Sequence, residues 1–535
     1  MTLTTNRILK SALFALSLLS ANALAVQIQG TVFLDLNKNG VQDAGERGMA
    51  NVAVSNGRTV VTTSAGGTYR LDVAAGEIVF VIKPAGFAVP ARRDGLPAFW
   101  HAYQPTPGPV LRYGGLLTGS VSDFDFPLRT ETPQKLPGTR LLIFADPQPK
   151  QTTDVGYYRD DVVKDVQGFL AKHPGDYTLG TSLGDIVNDD LSLYPAMNSV
   201  TTGLGVPWLH IPGNHDIDMD AEDDQHALDT YRNTFGPDTF AWNERDFTFI
   251  GLDDVIWRGA TTGGYIGGFR AGQLSFLRQY LASVPAERMV VVGLHVPLFE
   301  PEGKDTFRDE DRAALFALLE RFKHVLVLSA HNHTQQHFFH DSKDGWHGQS
   351  PLHEYNVGAV CGAFWSGVKD AQGIPVSTMA DGTPNGWATL ETDAQGHYAL
   401  NWHVARDPSN PAMHLSGPAT LRKGAYPAWG LYANAYMAAA DTRLEFKVDN
   451  GPWKTMQRVT RPDPALVAEN MRDDAAQTLR GYDRSPEAQD VTHLWRGALP
   501  TDLTVGAHVV TVRFTDSNGH AQTATRTYIL QEAAP

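Results

Sequence analysis

Cysteine is almost missing from this sequence: Cys361 is the only one in 535 residues. An intrachain disulfide framework is therefore excluded, and so is a thiolate-rich zinc or iron–sulfur site. Long apolar runs are missing too. Past the first 25 residues nothing approaches the roughly 18 uninterrupted apolar positions of a membrane span. Positive charge is the minority sign. Lys and Arg number 44 against 59 Asp and Glu, a net charge of −15 with no basic cluster, which argues against coating nucleic acid or an anionic membrane. What is present bounds the answer from the other side. Hydrophobic residues make up 42 %, enough for packed cores and too many for global disorder. At about 100–200 residues per domain, two to four domains are expected. Gly at 50 and Pro at 32 predict a loop-rich, strand-rich chain.

The first 25 residues read as a cleaved export signal. Arg7 and Lys10 give the positive end, Ser11 to Leu19 a short apolar run, and Ala23-Leu24-Ala25 the small residues before a cut. The run is too short to span a bilayer, and no cysteine follows it to carry a lipid. The mature chain is expected to be periplasmic or secreted, with Cys361 a small buried hydrophobe.

Three blocks follow. Residues 26–130 alternate in short runs (Gln29–Leu34, Val52–Ser55, Arg58–Thr63, Tyr69–Val73, Glu77–Ile82), which predicts a β-sandwich. The stretch Glu131 to Gly138 reads as a linker. Residues 139–403 mix buried-strand runs, such as Leu141–Ala145, Val290–Leu294 and Val325–Leu328, with helical patterns over 273–284 and 309–322. That alternation predicts a layered α/β domain. Residues 404–535 end in a hairpin around Asp516-Ser517-Asn518-Gly519 and read as a second β-sandwich.

The middle block carries the chemistry. Five times, a metal-ligating group directly follows an apolar, strand-like run. The five are Asp146-Pro147-Gln148, Gly184-Asp185, Gly213-Asn214-His215-Asp216, His295, and His331-Asn332-His333. Open α/β sheets form their sites where strand carboxyl ends open into loops. Carboxylate, amide and imidazole ligands suit divalent Mn, Fe, Zn, Ni or Mg. Six or seven ligands exceed the usual four of one zinc, so two ions with Asp185 bridging are the economical reading. A pair about 3.5–4 Å apart acidifies water and clamps the oxygens of an in-line displacement, as phosphate ester hydrolysis requires.

The ordered series D-x-(H/Q), G-D, G-N-H-D, H, A-H-x-H resembles the calcineurin-like metallophosphoesterase family, over about Arg140 to Thr334. The resemblance implies a central four-layer α/β sandwich, two β-sheets flanked by helices. It implies that Asp146, Gln148, Asp185 and His333 hold one metal, and Asp185, Asn214, His295 and His331 the other. His215 would sit above them, holding phosphoryl oxygens or protonating the leaving group. Two positions depart from the common pattern. Gln148 stands where many members have His, and Ala330 where most have Gly; a methyl there requires a negative φ. Phe235-Gly236-Pro237, Leu252-Asp253, His353–Trp365 and Asp381–Gly386 resemble an exported bacterial branch with a β-domain on each side of the phosphoesterase domain.

Other polar groups have ordinary readings. His337 and His340 follow a strand and read as structural or exposed, and His210 as a packed strand residue. Asn188 and Asp189 either orient substrate and water or cap the next helix. Arg159 and Lys304 are candidate phosphate contacts or surface charges; Trp365 and Trp387 wall a pocket or fill the core. Asp35, Asn37, Asn39, Asp43 and Glu46, with Gly40 at the turn, fit a calcium-loop pattern. A metal-free Asx-turn loop is the alternative, and either role is structural.

The resulting expectation is an exported dinuclear-metal phosphoesterase in which a metal-bridging hydroxide attacks in line, with phosphomonoesters favoured. Asp185, Asn214 and His215 are its catalytic candidates and a small phosphorylated compound its substrate. A cyclic-nucleotide or other phosphodiesterase is the alternative within the class. A surface binding protein that keeps the metals without catalysis is the alternative outside it. A nuclease lacks its basic groove.

Overall fold

Alternating apolar residues in short runs separated by Gly, Asn and Pro make strands, and strands dominate. The computed structural model describes residues 25–119, 123–131, 138–299, 306–393, 395–427, 429–478 and 480–533. Residues 1–24, most of the expected linker and Lys304 lie outside them.

The first block forms two four-stranded sheets. One orders its strands 68–73, 26–34, 126–130, 87–88; the other 60–62, 53–55, 77–81, 100–103. The strand Thr68–Val73 alternates perfectly between exposed and buried, so one face enters the sandwich core.

The middle block builds two larger sheets. The five-stranded sheet runs 208–211, 178–183, 140–144, 386–392, 398–404, its first three strands parallel. The six-stranded sheet runs 239–243, 247–252, 289–293, 325–329, 352–356, 336–340, with four parallel strands at its centre. These central strands are buried on both faces, as sheets covered by helices require. The helical patterns materialise as Ala271–Leu281 and Asp309–Leu319, three residues shorter at the C-terminus than the periodicity suggested. In each, the last apolar residues, Val284 and Phe322, pack from a turn instead. The long helical stretch 152–172 carries a π-helical turn at Arg159–Val163.

The last block is a four-stranded and a five-stranded sheet around the 506–515/521–531 hairpin, with one helix, Pro464–Asp474. Asp463 caps that helix by accepting from Ala465 and Leu466 N–H. This block has its own core around Leu431, Trp495, Val512 and Leu530. The first block does not: Val54, Phe80 and Phe126 belong to the same continuous core as the middle sheets. Fully buried Lys83 seals that junction, pairing with Glu131 at 2.9 Å and Glu244 at 3.1 Å.

Candidate metal centre

Every expected ligand lies just past the carboxyl end of a strand that runs parallel to its neighbour. Asp146 follows 140–144, Asp185 follows 178–183 and Asn214 follows 208–211; His295 and His331 follow 289–293 and 325–329. The loops turn sharply. Asp146, Gln148, Asp185, His331 and His333 all have positive φ, between 38° and 70°. Non-glycine residues adopt that region at a cost, and such strain gathers at sites where the surroundings impose it. Two glycines make room. A Cβ on Gly184 would stand 2.4 Å from His295 Nδ1, and one on Gly213 would stand 2.3 Å from Asp185 Oδ1. Ala330 is absent from the positive-φ residues, so its methyl is tolerated.

The side chains of Asp185, His295 and His331 bring ligand atoms within 4.8 Å of one another. His295 is the hub. Its Nδ1 donates to the Leu183 carbonyl at 2.8 Å, and a carbonyl can only accept. Its Nε2 therefore faces the cluster, 3.0 Å from Asn214 Oδ1, 3.2 Å from His331 Nδ1 and 3.3 Å from Asp185 Oδ1. Ligands about 2.0–2.2 Å from a divalent ion stand roughly 3–3.5 Å apart, so the spacing fits one. A second group adjoins it. His333 donates Nδ1 to the Gly362 carbonyl at 2.9 Å and turns Nε2 to Asp146 Oδ1, 3.6 Å away. Asp146 Oδ1 is buried and takes no hydrogen bond. Imidazoles oriented by backbone carbonyls are the usual support of metal ligands.

Gln148 departs from its expected role in orientation. It donates Nε2 to Asp185 Oδ2 at 2.9 Å, while its Oε1 faces Cys361 Sγ at 3.8 Å. Half a turn about the Cγ–Cδ bond exchanges the two atoms.

The electrostatics ask for a cation. Burial alone would depress His295, yet the charges of Asp185 and Asp146 hold it up to about 10. Burial and the neighbouring His295 push His331 down to about 3. Burial raises Asp146, while His295 and His215 hold Asp185 low despite its burial. The cluster thus draws in positive charge, and the fit to divalent ions is good in geometry and in donor type.

His215 stands at the rim, its backbone N–H on Asp185 Oδ1 at 2.9 Å. Its Nδ1 donates to Asp189 Oδ1 at 2.6 Å. Burial would lower this imidazole, but Asp189 and Asp185 hold it above the ordinary histidine range. The helix-capping alternative for Asn188 and Asp189 is corrected: Asp190 caps the next turn, accepting from Ser192. Sequence reasoning missed Asp216, Asp254 and the pairing of Asp189 with His215. Buried Asp216 accepts from Gly213 and Ile186 N–H and from the Tyr194 hydroxyl, tying two ligand loops together. Asp254 accepts the backbone N–H of His295 and Val296. Each is a loop-anchoring carboxylate, and position in a ligand loop was the one signal that marked Asp216 and Asp189.

The remaining candidates settle elsewhere. His340 pairs with Glu354 at 2.7 Å, and His210 packs its ring at a tilt against Phe235 with both ring nitrogens unpartnered. Trp365 donates to the Pro147 carbonyl behind the site, and Trp387 to Asp165 in the core. Arg159 is exposed and pairs with Asp160. Cys361 is buried as expected, but between Gln148 and His333 rather than in plain apolar packing. In the Asp35 loop, Arg129 donates to Asp35 Oδ2, and Asn37 and Asn39 both donate to Asp43 Oδ2 at 2.7 Å. Glu46 accepts from the N–H of Leu36, Asn37 and Asp43. These are the bonds of the Asx-turn alternative, with buried Asp35 Oδ1 left without a donor.

Comparison with known proteins bears on the same segments. A calcineurin-like phosphoesterase model matches residues 139–335. Models for the N terminal and the C terminal of calcineurin-like phosphoesterase match 36–111 and 354–521. The last of these includes the strands 386–392 and 398–404 of the central five-stranded sheet. No curated protein matches the chain. Among solved structures, purple acid phosphatase PPD1 from yellow lupin (Lupinus luteus) seeds is 13 % identical. That match covers 71 % of this chain and 67 % of that chain, with a TM-score of 0.36.

Proposed function

We propose, for a chain that belongs to the calcineurin-like phosphoesterase family, an exported phosphomonoesterase that works with two divalent cations. Metal-dependent phosphoester hydrolysis is the family's activity and this chain's; the export, the ion pair and the monoester preference are our reading. One observation carries it. Ligand atoms of three other loops meet around His295 Nε2 at 3.0–3.3 Å, and an unpartnered Asp146 oxygen faces a second imidazole beside them.

Asp185, Asn214, His295 and His331 would hold one ion, and Asp146, Gln148, Asp185 and His333 the other, with the Gln148 amide turned. Bound divalent ions lower the pKa of water toward neutrality and neutralise phosphoryl charge. The chain supplies the rest. Asn214 Oδ1 is turned inward, which leaves its amide hydrogens for a phosphoryl oxygen. Asp189 fixes the His215 ring and, with Asp185, favours its protonated form against burial. His215 then delivers its proton to the leaving oxygen as the phosphorus–oxygen bond breaks. A protonated imidazole and two cations suit a dianionic monoester better than a diester. Export rests on Arg7, Lys10 and the apolar run. The first strand starts at Val26, so a cut after Ala25 takes nothing from the sheet. A processed N-terminus at Val26 is the expected result of sequencing the exported chain.

The test is metal analysis of the purified chain with assays on matched phosphomonoesters and phosphodiesters across Mn, Fe, Zn, Ni and Mg. About two ions per chain and faster monoester turnover are expected. Faster diester turnover would overturn the preference, and no hydrolysis with any ion would favour the non-catalytic binding reading.

A further inference from the structure

The turn 359–366 wraps the His333 side of the centre and is tightly held. Val360 and Cys361 N–H bond the Ala145 and Asp146 carbonyls, Trp365 N–H bonds Cys361 O, and Trp365 Nε1 bonds Pro147 O. Within it, Phe364 and Trp365 are consecutive non-glycine residues with φ of 55° and 56°. Trp365 is buried, whereas Phe364 is 43 % exposed. A rigid turn therefore spends backbone strain to hold an aromatic ring in solvent, and strain of this kind marks function. The ring centroid lies 4.9 Å from that of His333. Its present cover is Lys150, whose Nζ lies 4.8 Å from the centroid and forms no ion pair among the described residues.

An exposed cation over a phenyl ring is worth roughly 2- to 5-fold in affinity. A stacked planar ring is worth roughly 5- to 150-fold. A planar ring therefore displaces Lys150, and the ammonium stays at hand for an anionic oxygen. We propose that Phe364 is a specificity-determining platform on which the leaving group stacks, so that preferred substrates are phosphate esters bearing a planar aromatic ring, aryl or nucleobase. This rests on the phosphoesterase reading above.

Calorimetric binding of non-hydrolysable phosphonates to the metal-loaded chain tests it without turnover. The probes are benzylphosphonate, the 5′-methylenephosphonate analogue of adenosine monophosphate, and aliphatic butylphosphonate. The wild type should bind a ring-bearing probe about 10-fold more tightly than butylphosphonate. Phe364→Leu, as strained as the parent at this φ, should erase the preference, and Phe364→Tyr should keep it. Unchanged melting temperatures certify the fold. The ring probe that binds better distinguishes an aryl from a nucleoside ester. Equal binding of all probes, or a preference that survives in Phe364→Leu, overturns the platform alone. No binding of any phosphonate together with no hydrolysis overturns the phosphoesterase reading, and the platform with it.

Discussion

Two loop regions carry metal-ligand patterns, and they are built in opposite ways. In the central cup the acceptors of five loops face one another, while the donors of His295 and His333 are spent outward on backbone carbonyls. In the Asp35–Glu46 loop the acceptors face donors of the chain itself: Arg129, two asparagine amides and six backbone N–H groups. The cup is assembled across two sheets from residues 146 to 333, whereas the loop closes mostly within itself. Converging acceptors need a cation to relieve their repulsion, and matched acceptors do not. A motif in sequence lists the oxygens but not where the donors are, so the same kind of pattern can mean either.

The largest effect that tests this contrast is at Asp185. Asp185→Asn removes the carboxylate shared by both ligand groups and should abolish turnover and lower bound metal. Chelation should lower the wild-type melting temperature and leave that of Asp185→Asn nearly unchanged, because binding to the native state stabilises only a chain that binds. Full turnover with normal metal content in Asp185→Asn would break the cup reading.

Next comes the rim. His215→Ala should slow turnover by roughly 10²–10⁴-fold with metals retained, the usual reach of a general acid. Asp189→Asn should cost less, roughly 10- to 100-fold, as expected for an orienting carboxylate. Its pH profile distinguishes it from a structural change. Asp189 raises the His215 pKa, so the acid form survives to higher pH in the wild type. Removing the carboxylate lowers that pKa, and the alkaline fall in kcat should move to lower pH. A profile that keeps its alkaline limb would show that Asp189 does not act through His215.

Much of this was legible in the sequence because chemistry and strand ends coincide there. Each ligand follows an apolar run, and Gly184 and Gly213 mark the two places where a Cβ would collide with a ligand. The strands of the first block and the final hairpin fell within a few residues of their alternating runs. What stayed hidden depends on distance in three dimensions. The Asp189–His215 pair spans 26 residues, and Cys361, in the turn that exposes Phe364, lies 28 residues past the His333 ring it touches. The single core shared by the first two blocks was equally invisible, since Lys83 finds Glu244 only when the domains meet. Alternation reports which face of a strand is buried, not which domain buries it.

The smallest effect separates the two loop regions most cleanly. Arg129 donates to Asp35, whose side chain is fully buried while that of Arg129 is 27 % exposed. Arg129→Met keeps the side-chain bulk and removes the donors. Asp35 then holds only the Gly40 N–H, and a buried carboxylate that loses its partner costs about 1–3 kcal/mol. The melting temperature should fall, with turnover within about twofold of wild type because the loop takes no part in the cup. Calcium should then restore stability in Arg129→Met, since a cation can replace the lost positive charge, and should shift the wild type less. If calcium stabilised the wild type as strongly as the variant, the loop would be a cation site despite its matched donors, and the contrast drawn between the two regions would fail.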